Sequence, residues 1–175
     1  MNKALLTALP AALALGACTT IGDLPADREG SAQLRFANGL PAGTAQLYVS
    51  GGELRISGAF AGLTPGEHGF HLHTTGKCEA PGFTSAGGHL NPAGNEHGLN
   101  NPAGSHLGDL PNLEIASNGT GSITATISDD PDQALAAIFD ADGAAVMIHA
   151  GADDYVSDPA GDAGSRVACG VLSRD

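Results

Sequence analysis

Gly69-Phe70-His71-Leu72-His73 alternates apolar and imidazole side chains. Successive residues of a β-strand face opposite ways. His71 and His73 would therefore share one face, while Phe70 and Leu72 enter a core on the other. Two imidazoles side by side on a sheet face make half of a metal site. Five more candidate ligands follow: His89, His97, His106 and Asp109, then His149 at the end of the apolar run Ala144 to Ile148. His97, His106 and Asp109 are three ligands of zinc type. His149 could complete the His71 and His73 pair, and His89, between the two sets in sequence, could serve either. Imidazole suits zinc and copper alike, and this many imidazoles exceed what one tetrahedral zinc can use. Either the surplus is structural or a second metal sits beside the first. A zinc site alone would leave His71, His73 and His149 unexplained.

The same period-two alternation runs through much of the chain. Leu34 and Phe36, Leu47 and Val49, Leu54 with Ile56 and Phe60, Leu113 and Ile115, and Ile123 with Ala125 and Ile127 each fall on one face of a strand. Turn signals separate these runs at Asn38-Gly39, Gly51-Gly52, Pro65-Gly66, Asn118-Gly119 and Asp142-Gly143. Short strands with regular turns predict an all-β antiparallel sandwich or barrel. Pro131 to Ala137 could be helical but is too short to organise the fold. Gly76 to Leu110 shows no strand pattern and holds His89, His97, His106 and Asp109. Loops of that length are usually functional, and a bound metal would explain how this one stays ordered. Within it Asn91-Pro92-Ala93-Gly94 recurs as Asn101-Pro102-Ala103-Gly104, which reads as two turns flanking His97. A second glycine-rich loop runs from Gly151 to Ser165.

The formal charge of −12 argues against a basic surface for nucleic acid and against a polybasic membrane patch. The N-terminus reads as a targeting segment. Lys3 precedes an apolar run, Ala4 to Ala14, too short to span a bilayer comfortably, and Leu15-Gly16-Ala17-Cys18 resembles a bacterial lipobox. Residues 1–17 are then a lipoprotein signal peptide, with Cys18 acylated after cleavage; the alternative is an ordinary secretory signal. Residues 18–31 become the lipidated N-terminus and a polar tether, and residues 32–175 the domain. Once Cys18 is assigned to lipid, Cys78 and Cys169 are left as an even pair in an exported protein. They read as one disulfide rather than two free thiols. It would close a loop of about 90 residues, on the order of 4 kcal/mol in the chain-entropy picture.

The motifs together resemble the copper/zinc superoxide dismutase family. The matching stretches are His68-Gly69-Phe70-His71-Leu72-His73, Gly87-Gly88-His89-Leu90-Asn91-Pro92, His106-Leu107-Gly108-Asp109-Leu110, His149-Ala150-Gly151-Ala152-Asp153-Asp154 and Gly161-Asp162-Ala163-Gly164-Ser165-Arg166-Val167-Ala168-Cys169-Gly170. The loop intervals of 8, 9 and 3 residues between His89, His97, His106 and Asp109 match as well.

The resemblance implies an eight-stranded antiparallel Greek-key barrel or sandwich with two long functional loops. It implies one copper and one zinc per subunit. His71, His73, His89 and His149 would hold copper, and His89, His97, His106 and Asp109 would hold zinc, with His89 shared as an imidazolate. Asp153, favoured over Asp154 by the motif, would join a copper histidine to a zinc histidine. Arg166 would guide and hold the superoxide anion, His89 would carry a proton, and Cys78 and Cys169 would form the family disulfide. His68, sent away from His71 by strand parity, would be a hydrogen-bonded scaffold residue.

The implied reaction is 2 superoxide + 2 H+ → O2 + H2O2, protecting the cell envelope. The alternative is a non-catalytic copper- and zinc-binding lipoprotein of the same fold. The location expected is the periplasm, with membrane contact through the N-terminal lipid only. Thr19 after Cys18 favours the outer membrane, and a homodimer is admitted. Lysine is absent between His149 and Arg166 and between Cys78 and His89, so only Lys77 stands near to help Arg166 with steering.

Overall fold

The computed structural model describes residues 27–175. The signal peptide and Cys18 lie outside the described residues. Ten strands, one α-helix and a single 3-10 turn follow in order among the described residues: β1 (Asp27–Phe36), β2 (Pro41–Ser50), β3 (Glu53–Ala61), β4 (Gly66–His68), β5 (Phe70–His73), the 3-10 turn (Thr84–Ala86), β6 (Leu113–Ile115), β7 (Thr120–Ser128), α1 (Pro131–Ile138), β8 (Ala145–His149), β9 (Arg166–Val171) and β10 (Ser173–Arg174).

Eight strands form one antiparallel sheet in the order β5-β8-β9-β1-β2-β3-β7, with β10 also on β1, and β4 and β6 make a two-stranded ribbon. β4 leads through Gly69 into β5, and β6 turns through Asn118-Gly119 into β7, so the ribbon links the sheet's two edges. The chain crosses from β3 to β5 at the far edge, returns to β7 beside β3, and crosses again to β8. These long returns between antiparallel strands have Greek-key character.

The predicted alternation holds where it is clearest. Leu34, Leu47, Leu54, Ile56, Phe60, Leu113, Ile115 and Ala125 are buried in one core with Phe70, Leu72, Val146 and Ile148. The β2–β3 register sets Leu47 opposite Ile56 and Val49 opposite Leu54. α1 runs one residue past the expected stretch. Pro131 stands in its first turn, and the Asp130 side chain caps it by accepting from Gln133 N at 3.1 Å.

The N-terminal boundary needs correction. Residues 18–31 were expected as tether, but Asp27 to Ser31 already belong to β1. The alternation is hidden there because a register shift between Arg28 and Gly30 interrupts it. Gly30 pairs with both Leu47 and Arg174, and Arg28 forms an ion pair with Asp175, so these residues are built into the sheet.

Strand parity places the histidines. On β8, Val146 and Ile148 face the main core, while Ala145 and Met147 face a smaller cluster with Phe83, Ala86 and Cys169. β5 pairs with β8 so that His71 stands opposite Met147 and His73 opposite Ala145. His71, His73 and His149 therefore share the sheet face that the loops cover.

The long loop is tied to β5 by backbone pairing. Leu90 N donates to Leu72 O at 2.8 Å, Leu72 N to Gly108 O at 2.9 Å, and Gly108 N to Leu90 O at 2.9 Å. A side chain at Gly108 would put its Cβ 2.2 Å from Leu72 O, so only glycine permits this approach. Backbone pairing thus orders the loop in addition to any bound metal, and nothing in its residue types signals that pairing. The two Asn-Pro-Ala-Gly copies are turns, closed by Gly94 N to Asn91 O and Gly104 N to Asn101 O.

Candidate metal centre

β5 supplies His71 and His73, the end of β8 supplies His149, and the long loop supplies His89, His97, His106 and Asp109. All seven are buried. Their donor atoms converge as two groups of four, His71 with His73, His89 and His149, and His89 with His97, His106 and Asp109. Within each group the atoms lie within 4.8 Å of one another. The isolated pairings His73 to His89 and His71 to Asp109 bring the loop ligands against the strand ligands.

In the first group one ring nitrogen of each strand-borne histidine is tied down. His71 Nε2 meets Asp153 Oδ2 at 2.7 Å, His73 Nδ1 meets Gly87 O at 2.9 Å, and His149 Nδ1 meets Gly164 O at 3.1 Å. A nitrogen facing a carbonyl or carboxylate carries the proton, so the opposite nitrogen holds a lone pair. Those opposite atoms are His71 Nδ1, His73 Nε2 and His149 Nε2. Together with His89 Nε2 they are buried without a hydrogen-bond partner. Buried polar atoms are rarely left so, and four converging lone pairs fit a cation. Burial chiefly, opposed by the Gly87 carbonyl contact at His73, lowers His73 to about 2; burial also lowers His89 and His149 to about 4. These rings are free bases at neutral pH, as metal ligands must be.

The second group centres on Asp109. Its Oδ2 accepts from Gly98 N at 2.9 Å and His106 N at 3.0 Å, which aims Oδ1 inward. Around Oδ1 stand His89 Nδ1 at 2.8 Å, His97 Nδ1 at 3.0 Å and His106 Nδ1 at 3.1 Å. His97 Nε2 is committed to Asp153 Oδ1 at 3.0 Å, and although burial lowers His97, Asp153 and Asp109 outweigh it and raise the ring, so Nδ1 would turn a lone pair toward a metal only after giving up its proton. Ligands on a tetrahedral zinc with bonds of about 2.0–2.1 Å lie roughly 3.3 Å apart. The four atoms fit the corners of such a site better than they fit three hydrogen bonds to one oxygen.

His89 belongs to both groups, Nδ1 to the second and Nε2 to the first. Asp153 makes a second link, Oδ2 to His71 and Oδ1 to His97. Burial raises the Asp153 carboxyl, but the bonds from His71 and His97 outweigh it and hold the group at about 2. Asp154 is exposed and only caps its own turn, accepting from Val156 N and Ser157 N. His68 is apart from both groups. Its Nδ1 meets His149 O at 2.7 Å and its Nε2 meets Thr64 O at 2.8 Å, a scaffold role that ties β4 to the end of β8.

Arg166 opens β9 opposite His149. Its Nη1 donates to Phe83 O at 2.7 Å and its Nη2 to Gly87 O at 2.6 Å. The half-buried guanidinium is thereby fixed beside His73 and His149, and its charge contributes to lowering both. Cys78 and Cys169 form a disulfide across 91 positions, packed on Phe83 and Met147. Lys77 is exposed. Sequence reasoning missed Phe83 and Gly87, which act through backbone oxygens and leave no mark in residue type. It also passed over Gly161, where a Cβ would stand 1.8 Å from Asp153 Oδ1 and 2.7 Å from His97 Nε2.

An antiparallel Greek-key β-fold carrying two buried ligand groups joined by one histidine defines a class of binuclear metalloprotein. The family model for copper/zinc superoxide dismutase matches residues 41–172, and the chain belongs to that family. It is 47% identical over 116 residues to the superoxide dismutase-like protein YojM of Bacillus subtilis, a match covering 63% of this chain and 58% of that one. It is 40% identical over 152 residues to superoxide dismutase [Cu-Zn] 2 of Aquifex aeolicus, covering 83% and 87%. The crystal structure of a SOD-like protein from Bacillus subtilis superposes with a TM-score of 0.77 at 38% identity, covering 83% of this chain and 99% of that one.

Proposed function

We propose that this protein is a superoxide dismutase, converting two superoxide anions and two protons to dioxygen and hydrogen peroxide. The observation that carries the reading is His89, whose two ring nitrogens enter two different buried ligand groups. We assign His71, His73, His89 and His149 to copper and His89, His97, His106 and Asp109 to zinc. When bound, copper supplies a one-electron couple and zinc, which has none, holds its ligands in place.

The chain's own residues do the rest. His89 Nε2 is the atom that takes up and yields a proton, and Asp109 fixes the ring by standing at Nδ1. Asp153 orients His71 and His97 by accepting from both. Arg166, immobilised by two carbonyl bonds, holds positive charge where an anion would approach His73 and His149. The overall negative charge repels superoxide at long range, so attraction depends on this local field, with Lys77 as the nearest helper.

Metal analysis and a superoxide assay on the purified protein test the reading. One copper and one zinc per chain, with activity abolished by cyanide, is the expected result. Zinc alone without activity would replace it with a metal-binding protein of the same fold. An envelope location with Cys18 as lipid anchor is proposed from sequence alone. Fatty-acid labelling that persists in Cys18→Ser would refute it.

A further inference from the structure

Asp153 is gripped by more than its two histidines. The Asn112 side chain pairs with the Asp153 backbone as a neighbouring strand would: Nδ2 donates to Asp153 O at 2.9 Å, and Oδ1 accepts from Asp153 N at 2.9 Å. The Asn112 N–H donates to the Tyr155 hydroxyl at 2.8 Å. Tyr155 N donates to Asp153 Oδ1 at 2.6 Å, and Tyr155 O accepts from Asn100 N at 3.0 Å. Tyr155 has φ 64°, a left-handed conformation that side chains other than glycine, asparagine and aspartate seldom adopt. Such conformations persist where surrounding contacts over-determine them, often at functional sites.

The geography of these bonds is specific. Asn112 follows the ligand Asp109 by three positions, and Asn100 lies between His97 and His106. The clamp therefore joins two stretches bearing the second ligand group to the carboxylate that also holds His71. Asp153 must present one oxygen to each ring, and a small rotation of its side chain would forfeit one of the two bonds. Asn112 fixes the backbone from which the side chain turns, and the Tyr155 N–H on Oδ1 restrains the rotation itself.

We propose that Asn112 and Tyr155 are positioning residues that fix Asp153 between His71 Nε2 and His97 Nε2, and so set how tightly the His97 group retains zinc. The inference rests on reading the two groups as metal sites. Carboxylates behind ligating histidines orient the rings and raise their basicity, and their loss typically weakens metal binding about 10- to 100-fold.

The test is zinc affinity by chelator competition on the purified protein, together with the imidazole N–H signals of its zinc-loaded form. His71 and His97 N–H, bonded to Asp153, report the clamp, and His68 Nδ1–H, bonded to His149 O, reports the fold elsewhere. Asn112→Ala is expected to weaken zinc binding about 10- to 100-fold and to shift the His71 and His97 signals while His68 stays in place. Tyr155→Phe, which removes only the hydroxyl, is expected to act in the same direction by a smaller factor. It decides the question alone if Asn112→Ala does not fold. Unchanged affinity and unchanged His71 and His97 signals overturn the proposal, as does an equal disturbance of His68, which marks general loosening. Wild-type protein that takes up no zinc overturns the metal-site reading as well. Wild-type binding with indifferent variants overturns the clamp alone.

Discussion

A carboxylate oxygen has two lone pairs, yet Asp109 Oδ1 has three imidazole nitrogens within 3.1 Å. That excess is the chemical reason to place a cation among them. It also shows how sensitive the site is to single atoms. At Gly161 a methyl group would overlap Asp153 Oδ1, and φ is +63°, so neither space nor backbone tolerates a side chain. Gly161→Ala should push Asp153 off His71 and His97. We expect zinc retention, measured by chelator competition, to fall about tenfold or more. At Arg166 the residue type was legible only through its motif, and the structure adds the two carbonyl bonds that hold the guanidinium. Stopped-flow rates for Arg166→Ala should fall by about tenfold or more and lose most of their dependence on ionic strength, with Lys77→Ala a smaller change. An unaltered Arg166→Ala rate would refute its role.

Elements decide which residues can meet. β5 was predictable from the alternation of Phe70, His71, Leu72 and His73, because a half-buried strand imposes period two on its sequence. The stretch from Gly76 to Leu110 was not, because its order comes from backbone pairing around Leu72 and from asparagine-built turns with no hydrophobic period. The disulfide joins these two kinds of structure, tying the loop to β9. Reducing it frees a 91-residue separation, and the chain-entropy argument sets the loss of stability at about 4.6 kcal/mol. Phe83 and Gly87, which hold Arg166, lie just beyond Cys78. The reduced protein should therefore lose activity out of proportion to its metal content, which paired assays of rate and bound metal would show. Proportional loss would contradict this coupling.

Over the whole molecule, the buried histidines make stability depend on pH and on metal. In the metal-free protein His73, His89 and His149 titrate below the ordinary 6.5, chiefly because burial disfavours their charged forms. Between about 4 and 6.5 the unfolded chain thus binds more protons at these positions than the folded one. Their contribution to stability is complete above 6.5 and is lost as pH falls. His97 opposes this: burial lowers it, but Asp153 and Asp109 outweigh burial and raise it, so its contribution is present in acid and lost as pH rises. Three groups against one predict that the metal-free protein loses stability between pH 6.5 and 4, which denaturant titrations at each pH would measure. A flat profile would refute the balance. Metal binds only deprotonated ligands and only the folded chain, so adding zinc and copper at neutral pH should raise the melting temperature, and a strong chelator should reverse it. Sequence alone supplied the seven candidate ligands, the strand parity that puts His71 and His73 on one face, and an even pair of cysteines, because residue chemistry and short-range periodicity are written in the chain; their division into two groups, and Asp153 over Asp154, came from the family resemblance. Only the tertiary structure decided that Asp27 to Ser31 belong to β1, that the two Asp153 oxygens meet His71 and His97, and that Asn112, Tyr155 and Gly161 shape its surroundings. Those facts depend on backbone atoms and on clearances between segments far apart in sequence, which no residue's identity carries by itself.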